Sequence, residues 1–212
     1  MFRVATDKRL VALSFDDGPD PAYTPSVLRN LHQSGARATF FLVGVNAVAH
    51  RGLVAELTSA GHTIGNHTYD HRELELLAPA AVDLEIEKGS AAIVSAGGQL
   101  PKLFRPPRGF TDEVVRIEAR RDRYRTVFWT LCLEHFVMTY GLSGGVEAML
   151  DEVRPGAVLL AHDGGRIEGS GRRPIDRRET LEALPLLLSG LAAKRLRVVD
   201  VPTLLRHARP PS

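Results

Sequence analysis

The sequence predicts an α/β fold, a distorted (β/α) barrel of about seven parallel strands, in a single domain that spans residues 1–212. Seven short apolar runs alternate with segments of helical periodicity, which is the pattern of repeated βα units and a parallel sheet. The chain shows no internal repeat, low-complexity tract or linker that would divide it. At 212 residues it is long enough for one substantial core and lies near the lower size of α/β barrels.

The individual elements follow from where these two patterns change along the chain. We predict strands at residues 10–15, 38–43, 62–65, 102–104, 125–131, 157–161 and 196–199. We predict helices at residues 24–34, 47–60, 72–96, 111–121, 143–153 and 178–194. Gly35, Gly61 and Gly156 each stand between a predicted helix and the next strand, where glycine commonly ends a helix.

Composition and charge narrow the classes of partner. Apolar residues make up 44% of the chain and charged residues 25%, as in ordinary globular proteins. The formal net charge of +2 is too small to indicate a nucleic-acid partner. We interpret the arginine-rich stretches at 116–125 and 172–178 as solvated helix faces and loops, with a border to a polyanionic or polymeric substrate as the alternative.

The sequence contains few features that indicate a redox role, membrane insertion or export. The single Cys132 excludes an intramolecular disulfide and a cysteine-based zinc cluster. No apolar run approaches the ~18 residues of a membrane-spanning helix. No charged start followed by an apolar core indicates a signal peptide, so we expect a cytoplasmic protein or a mature or trimmed exported or cell-wall protein. The sequence does not indicate an oligomeric state.

Two adjacent carboxylates, Asp16 and Asp17, stand at the end of the first predicted strand. The apolar run 10–13 precedes them, and Gly18 and Pro19 then turn the chain. Ligands bind at the carboxyl ends of strands in parallel sheets and barrels, so this position indicates a functional site. A turn that uses Asp and Gly only for their backbone preferences is the alternative.

Two histidines follow the third predicted strand. His67 and His71 are four residues apart, and on one face of a helical turn both imidazoles would reach a single ion. A chance pair of surface histidines is the alternative. If the two lie near Asp17, the three side chains would form a facial set of metal ligands that leaves positions for water and substrate.

Two further strand ends carry titratable residues. Arg105 begins the stretch RPPRG, where two prolines stiffen the backbone and would hold the guanidinium as a fixed donor for a carboxylate. His162 follows the apolar run 157–161 and precedes an aspartate and two glycines. Each feature alone is compatible with a purely structural role, but four such strand ends together favour a shared site.

Together these motifs resemble the polysaccharide deacetylase family (carbohydrate esterase family 4, the nodulation-protein-B homology domain) over about residues 10–205. The resemblance implies a distorted barrel and a metal-dependent hydrolase that removes N- or O-acetyl groups from glycans. It implies that Asp17, His67 and His71 bind one divalent ion, usually Zn²⁺, with Co²⁺ or Mn²⁺ as alternatives.

The resemblance also implies roles for the remaining motif residues. Asp16 would be the general base, oriented by Arg105, and His162 the general acid. The backbone N–H of Arg108 would stabilise the oxyanion, and Leu160 would line the pocket for the acetyl methyl group.

The sequence departs from the family pattern at two places. Position 108 is usually tyrosine in the family and is arginine here. In the fourth motif, His135 stands where an aspartate would polarise the catalytic histidine, and Phe136 stands where a tryptophan would wall the substrate pocket. Glu134 or Asp163 could supply the missing carboxylate, so the departure concerns efficiency and substrate choice more than the type of reaction.

The leading functional hypothesis is a metal-dependent deacetylase of an N-acetylated sugar of the chitooligosaccharide or peptidoglycan type. A deacylase of a small amide or ester on the same scaffold is one alternative. A glycan-binding pseudoenzyme with an altered fourth motif is the other.

Overall fold

The computed structural model describes residues 3–209 and contains eight strands, all parallel to their neighbours in one sheet. The strands are β1 (Leu10–Asp16), β2 (Thr39–Leu42), β3 (Thr63–Asn66), β4 (Leu103–Phe104), β5 (Arg125–Thr126), β6 (Leu131–Cys132), β7 (Val158–His162) and β8 (Arg197–Val199). Their order is β5-β4-β3-β2-β1-β7-β6, and β8 also pairs with β1. The predicted fold class is confirmed: the sheet curls into a half-barrel.

Strand β1 is the centre of the sheet. All seven of its residues are buried, as expected of a strand that has neighbours on both sides and helices packed around it. Its last residue, Asp16, lies in register with Phe41 of β2 and His162 of β7. This register brings the carboxyl ends of the three strands to one edge of the barrel.

The predicted strand at 125–131 divides into β5 and β6, which raises the number of strands to eight. The backbone oxygens of Val127 and Phe128 accept hydrogen bonds from Nε and Nη2 of Arg105, at 3.1 and 3.4 Å. These carbonyls are therefore satisfied by a buried side chain instead of a neighbouring strand. Among the described residues no ladder joins β5 to β6, so the barrel stays open there.

Nine helices surround the sheet within residues 3–209. They are α1 (Thr24–Gln33), α2 (Gly44–Ala49), α3 (Arg51–Ser59), α4 (Pro79–Ser95), α5 (Glu113–Arg121), α6 (Leu133–Tyr140), α7 (Leu142–Glu152), α8 (Arg178–Ala193) and α9 (Val201–Arg206). None of these helices is long and apolar enough to cross a membrane.

Two helix predictions need correction, and two helices were not predicted. The helix expected at 47–60 is divided at His50 into α2 and α3. The helix expected at 72–96 begins at Pro79, because proline is well suited to the first turn of a helix and the residues before it form a loop with a short 3₁₀ turn at Leu74–Leu76. Helices α6 and α9 were not predicted. Both are short, and α9 begins where the Asp200 side chain accepts a hydrogen bond from the backbone N–H of Thr203.

The main hydrophobic core lies between the sheet and helices α1, α3, α7 and α8. Phe15 and Phe40, on neighbouring strands, stack with ring centroids 5.0 Å apart. Leu187 and Leu191 of α8 are completely buried in the same cluster. Burial of side chains of this size contributes about 1.5–3 kcal/mol each, so the core fixes the strands whose ends carry the site.

Candidate active site

Asp16 ends β1 and is 3% exposed, with its carboxylate held by a buried arginine. Nη1 of Arg105 donates a hydrogen bond to Oδ1 of Asp16 at 2.7 Å and another to the hydroxyl of Ser14 at 3.0 Å. The Arg105 side chain is completely buried and lies over the ring of Phe41, 4.1 Å from its centroid. A buried charge requires an opposite charge in contact, so the two residues stabilise each other.

Asp17 turns away from Asp16 and faces the two histidines. Its backbone has a φ of 73°, in the left-handed region, which directs its side chain away from that of its neighbour. Oδ1 of Asp17 lies 3.5 Å from Nε2 of His67 and 3.2 Å from Nε2 of His71. The candidate ligand atoms of these three residues all lie within 4.8 Å of one another. The structure therefore brings together the three predicted ligands.

The two histidines do not lie on a helical turn, contrary to the spacing argument. Residues 67–71 form a loop in which Thr68 and His71 have φ values of 69° and 58°. The side chain of Asn66 accepts a hydrogen bond from the Thr68 N–H at 2.8 Å, and the Thr68 hydroxyl accepts one from the His71 N–H at 3.1 Å. Side chains that bond to nearby backbone groups thus replace the helical hydrogen bonds.

The donor set fits a divalent cation. Nδ1 of His67 lies 2.7 Å from the backbone oxygen of Arg105, and because a carbonyl only accepts, Nδ1 carries the proton and Nε2 is free to bind a metal. One carboxylate and two imidazoles are a common facial set for a catalytic ion. Burial alone would raise the pKa of Asp17, but the hydrogen-bonded histidines hold this pKa well below its ordinary value. Asp17 is therefore ionised and ready to bind.

The carboxylate beside His162 belongs to Glu134. Nδ1 of His162 lies 3.1 Å from Oε2 of Glu134, as an ion pair. The motif alignment put His135 in that place, but helix α6 begins at Leu133 and carries the His135 side chain into the cavity mouth instead. Of the two proposed replacements, Glu134 is the one that contacts His162.

Glu134 is itself tightly held. Its Oε1 accepts hydrogen bonds from the backbone N–H of His162 at 2.8 Å and from the hydroxyl of Thr180 at 2.7 Å. Burial would raise the pKa of Glu134, but the charge of His162 and these bonds lower it to about 2. Burial would likewise lower the pKa of His162, yet the Glu134 carboxylate raises it above its ordinary value. The pair favours a protonated imidazole beside an ionised carboxylate.

Asp163 and Cys132 lie close to this pair without replacing Glu134. Oδ2 of Asp163 accepts a hydrogen bond from the Thr24 hydroxyl at 2.6 Å, and burial raises the pKa of Asp163 to about 7. The thiol of Cys132 donates to Glu134, 3.4 Å away, and burial together with that carboxylate raises the thiol pKa to about 12. Cys132 is therefore a protonated hydrogen-bond donor.

A cavity of about 570 Å³ opens over these groups. Eight of the predicted site residues line this one space: Asp16, Asp17, His67, His71, Arg108, His135, Leu160 and His162. Trp129 forms part of the wall and packs against the Cα of Gly109, where an added Cβ would collide with the indole ring. The glycine that ends the stretch RPPRG thus makes room for the tryptophan.

The remaining predicted residues lie further from the centre. Phe136 is buried in the main hydrophobic core and is absent from the described cavity lining. The Arg108 side chain reaches the cavity rim, where it forms an ion pair with Glu73 at 3.0 Å and remains 59% exposed. The backbone of Arg108 has a φ of 58°, so its N–H direction differs from that of an ordinary turn residue.

Sequence reasoning missed three residues that support the predicted metal ligands. Nη2 of Arg177 donates to Oδ2 of Asp17 at 2.9 Å. Nη1 of Arg172 donates to the backbone oxygen of His71 at 3.0 Å. Nδ2 of Asn46 donates to the backbone oxygen of Asp17 at 2.8 Å. Arg172 and Arg177 belong to the stretch 172–178, which was interpreted mainly as solvated, with a border to a polyanionic or polymeric substrate as the alternative. Composition does not reveal which side chains fold back over a site.

A curled parallel barrel with this arrangement at its strand ends is typical of carbohydrate deacetylases. The polysaccharide deacetylase family model matches residues 3–127, more than half of the chain. The chain belongs to the polysaccharide deacetylase family, as the sequence motifs predicted.

Relatives cover nearly the whole chain. A peptidoglycan-N-acetylglucosamine deacetylase of Bacillus cereus is 34% identical over 210 residues, which cover 97% of this chain and 92% of the relative. A chitooligosaccharide deacetylase of Bradyrhizobium sp. is 34% identical over 200 residues, 92% of this chain and 90% of the relative. A family 4 carbohydrate esterase from Streptomyces lividans, solved in complex with acetate, has a TM-score of 0.80 and 32% identity, with 98% and 100% of the two chains covered.

Proposed function

We propose that this protein is a metal-dependent hydrolase that removes the acetyl group from an N-acetylated sugar of the peptidoglycan or chitooligosaccharide type. One observation carries the proposal: an aspartate held by an arginine, an aspartate with two histidines, and a histidine with a glutamate all face one cavity. The names of the two relatives, which act on peptidoglycan N-acetylglucosamine and on chitooligosaccharides, support this substrate class.

Asp17, His67 and His71 would hold the divalent ion, with Zn²⁺ the expected species and Co²⁺ or Mn²⁺ as substitutes. When bound, such an ion supplies Lewis acidity that activates a water molecule and polarises the acetyl carbonyl. Arg177 and Asn46 fix the side chain and backbone of Asp17, so the ligand set is positioned before any ion binds.

Asp16 is the proposed general base. Its Oδ1 is occupied by Arg105, and Oδ2 lies 3.8 Å from Nε2 of His67, on the side of the ligand set. This free oxygen accepts the proton of the attacking water as the new C–O bond forms. The Arg105 guanidinium pairs with the buried Asp16 carboxylate and holds it in place.

His162 is the proposed general acid. Nδ1 of His162 faces Glu134, so the other ring nitrogen, Nε2, is available to a substrate in the cavity. The protonated imidazole donates to the amine nitrogen as the C–N bond breaks, which releases acetate and the free amino sugar. Glu134 acts through His162: it orients the ring and stabilises its charged form.

Two neighbouring groups complete the proposed pocket. Leu160 is buried at the cavity wall, where an acetyl methyl group would find an apolar contact. The backbone N–H of Arg108, in its left-handed turn, is the proposed donor to the oxyanion.

The pseudoenzyme hypothesis depended on a missing carboxylate in the fourth motif, and the contact between Glu134 and His162 supports turnover instead.

The test is acetate release from N-acetylglucosamine oligomers, peptidoglycan fragments and small acetylated amides and esters. Metal-stripped protein is assayed beside protein reloaded with zinc, cobalt or manganese. We expect metal-dependent release from the oligosaccharides and little from the small compounds. Release from the small compounds alone would favour the alternative deacylase. Tight metal binding without release from any compound would favour a binding role.

A further inference from the structure

Four arginines surround the mouth of the cavity: Arg108, Arg172, Arg173 and Arg177. The acidic residues of the described lining are Asp16 and Asp17, and both already have partners within the site. The rim is therefore strongly cationic, although the whole chain has a net charge of only +2. A cleft lined by one sign of charge attracts ligands of the opposite sign.

The four arginines differ in how far they are already engaged. Arg177 is paired with Asp17, and Arg108 is paired with Glu73. Arg172 uses Nη1 to bind a backbone oxygen, which leaves its charge without a carboxylate. Within residues 3–209, Arg173 has neither a hydrogen bond nor an ion pair. Two cationic side chains at the rim are therefore available for a ligand.

The segment that carries them is fixed over the site. The backbone N–H of Gly165 donates to Oδ2 of Asp20 at 3.0 Å, and the N–H of Ile175 donates to the Gly165 oxygen at 2.6 Å, which closes the loop at its base. The side chain of Asn46 binds the loop through the Arg166 oxygen at 2.7 Å and the Glu168 N–H at 2.9 Å. The loop therefore presents its arginines from an anchored base.

We propose that the substrate is an acetylated sugar that carries an anionic group near the acetyl group, and that Arg173, with Arg172, binds this anion. The inference rests on the proposed function and names its substrate class more closely. Carboxylate and phosphate oxygens are the groups that a guanidinium binds best, through paired charge-assisted hydrogen bonds. A carboxylate on an ether-linked side chain, as in N-acetylmuramic acid, and a sugar phosphate both supply such oxygens.

The test compares three acetylated substrates of equal length: a neutral N-acetylglucosamine oligomer, one that contains N-acetylmuramic acid, and one that contains a sugar phosphate. For the wild-type protein, kcat/KM should be higher for an anionic substrate than for the neutral one. Whichever anionic substrate has the higher kcat/KM shows whether the bound anion is a carboxylate or a phosphate. Raising the ionic strength from about 0.05 to 0.5 M should erase much of this preference.

The decisive variants are Arg173→Gln and its matched control Arg166→Gln. Arg166 is exposed on the same loop and lies outside the described cavity lining. Arg173→Gln should reduce the anionic-to-neutral ratio about five- to tenfold, through KM, whereas Arg166→Gln should leave the ratio unchanged. Arg173→Lys should restore much of the ratio, because it restores the charge. Equal ratios in the two glutamine variants, or a wild-type preference for the neutral oligomer, would overturn the proposal.

A binding measurement separates failure of this inference from failure of the proposed function. Calorimetric titration of metal-stripped protein with the three oligomers does not depend on turnover. The subsite would be supported, even if no acetate were released, by tighter binding of the anionic oligomers than of the neutral one. This binding should weaken at high salt and in the Arg173→Gln variant. If the protein released acetate from all three substrates and bound them with equal affinity, the proposed deacetylase activity would stand and the anion subsite would be rejected.

Discussion

The site has two halves built on the same electrostatic scheme but from different parts of the fold. On one side Asp16, at the end of β1, is paired with Arg105, which follows β4. On the other side His162, at the end of β7, is paired with Glu134 of α6. Strand register places Asp16 and His162 side by side, and each of these two proposed proton-handling groups has one neighbour of opposite charge.

The halves differ in depth. Arg105 is completely buried, and its guanidinium also satisfies the carbonyls of Val127 and Phe128. Glu134 and His162 are partly exposed, and His162 lines the cavity. We infer that the Asp16–Arg105 half supports both folding and chemistry, whereas the Glu134–His162 half acts mainly on chemistry. Substitutions in the two halves should therefore separate stability from activity.

The largest effects should follow from removing a ligand or the base. His67→Ala removes one of three ligand atoms and should abolish both metal binding and turnover. Asp16→Asn keeps the ligands and should lower kcat by about 10²–10⁴-fold while the bound metal stays at one equivalent. Metal content by atomic emission and acetate release would check this pair, and full activity of Asp16→Asn would show that the base is another residue.

The next largest effect should be on stability. Arg105→Gln leaves the Asp16 carboxylate buried without its cation and should lower the free energy of unfolding by about 3–5 kcal/mol. Arg125→Gln, on an exposed strand position, is the matched control and should change it by less than about 0.5 kcal/mol. Urea denaturation of the metal-free proteins measures both, and equal midpoints would show that the Arg105 contacts are not stabilising.

Glu134→Gln should reduce activity with little loss of fold. Glutamine can still accept the hydrogen bonds of the His162 N–H and the Thr180 hydroxyl through its amide oxygen, but it has no charge. We expect kcat to fall by about 10–100-fold with a small change in Tm. Glu147→Gln, an exposed position on α7, removes the same charge elsewhere and should retain kcat.

The last effect concerns Asp163, whose buried carboxylate accepts a hydrogen bond from the Thr24 hydroxyl. In the metal-free protein its pKa is raised to about 7 by burial, so the folded state keeps a proton that the unfolded state has already lost above about pH 4. Stability should therefore decrease as pH rises from about 4 to 7. Asp163→Asn should flatten this dependence, and Tm measured across this range would detect it. An unchanged slope would mean that other groups cause it.

The two halves also differ in how far the sequence predicts them. Asp16 and Arg105 stand at strand ends within stiff motifs, and strand ends converge in a parallel barrel, so their proximity could be expected. Glu134 could be named only as one of two candidates, because helix α6 was not predicted. The carboxylate that contacts the catalytic-histidine position comes from residue 134 and not from residue 135, where the motif alignment expects it. Without helix α6, nothing in the sequence indicates this shift by one residue.

The loops were the least predictable parts. His67 and His71 reach the same site from a loop with left-handed residues, which spacing alone cannot distinguish from a helical turn. The arginines at 172–178 were interpreted mainly as solvated, and only tertiary contacts with Asp17 and His71 reveal their position over the cavity. Local pattern predicts the elements, whereas the supports of a site depend on contacts between distant segments.

The most direct test of the account is the pH dependence of kcat for acetate release by the wild type and by Glu134→Gln. Activity should fall as pH rises through the pKa of His162, because the acid must be protonated. The Glu134 carboxylate raises that pKa, so its removal should move the alkaline limb to lower pH, and Glu147→Gln should leave the limb in place. An alkaline limb at the same pH in all three proteins would contradict the assignment of His162 as the acid held by Glu134.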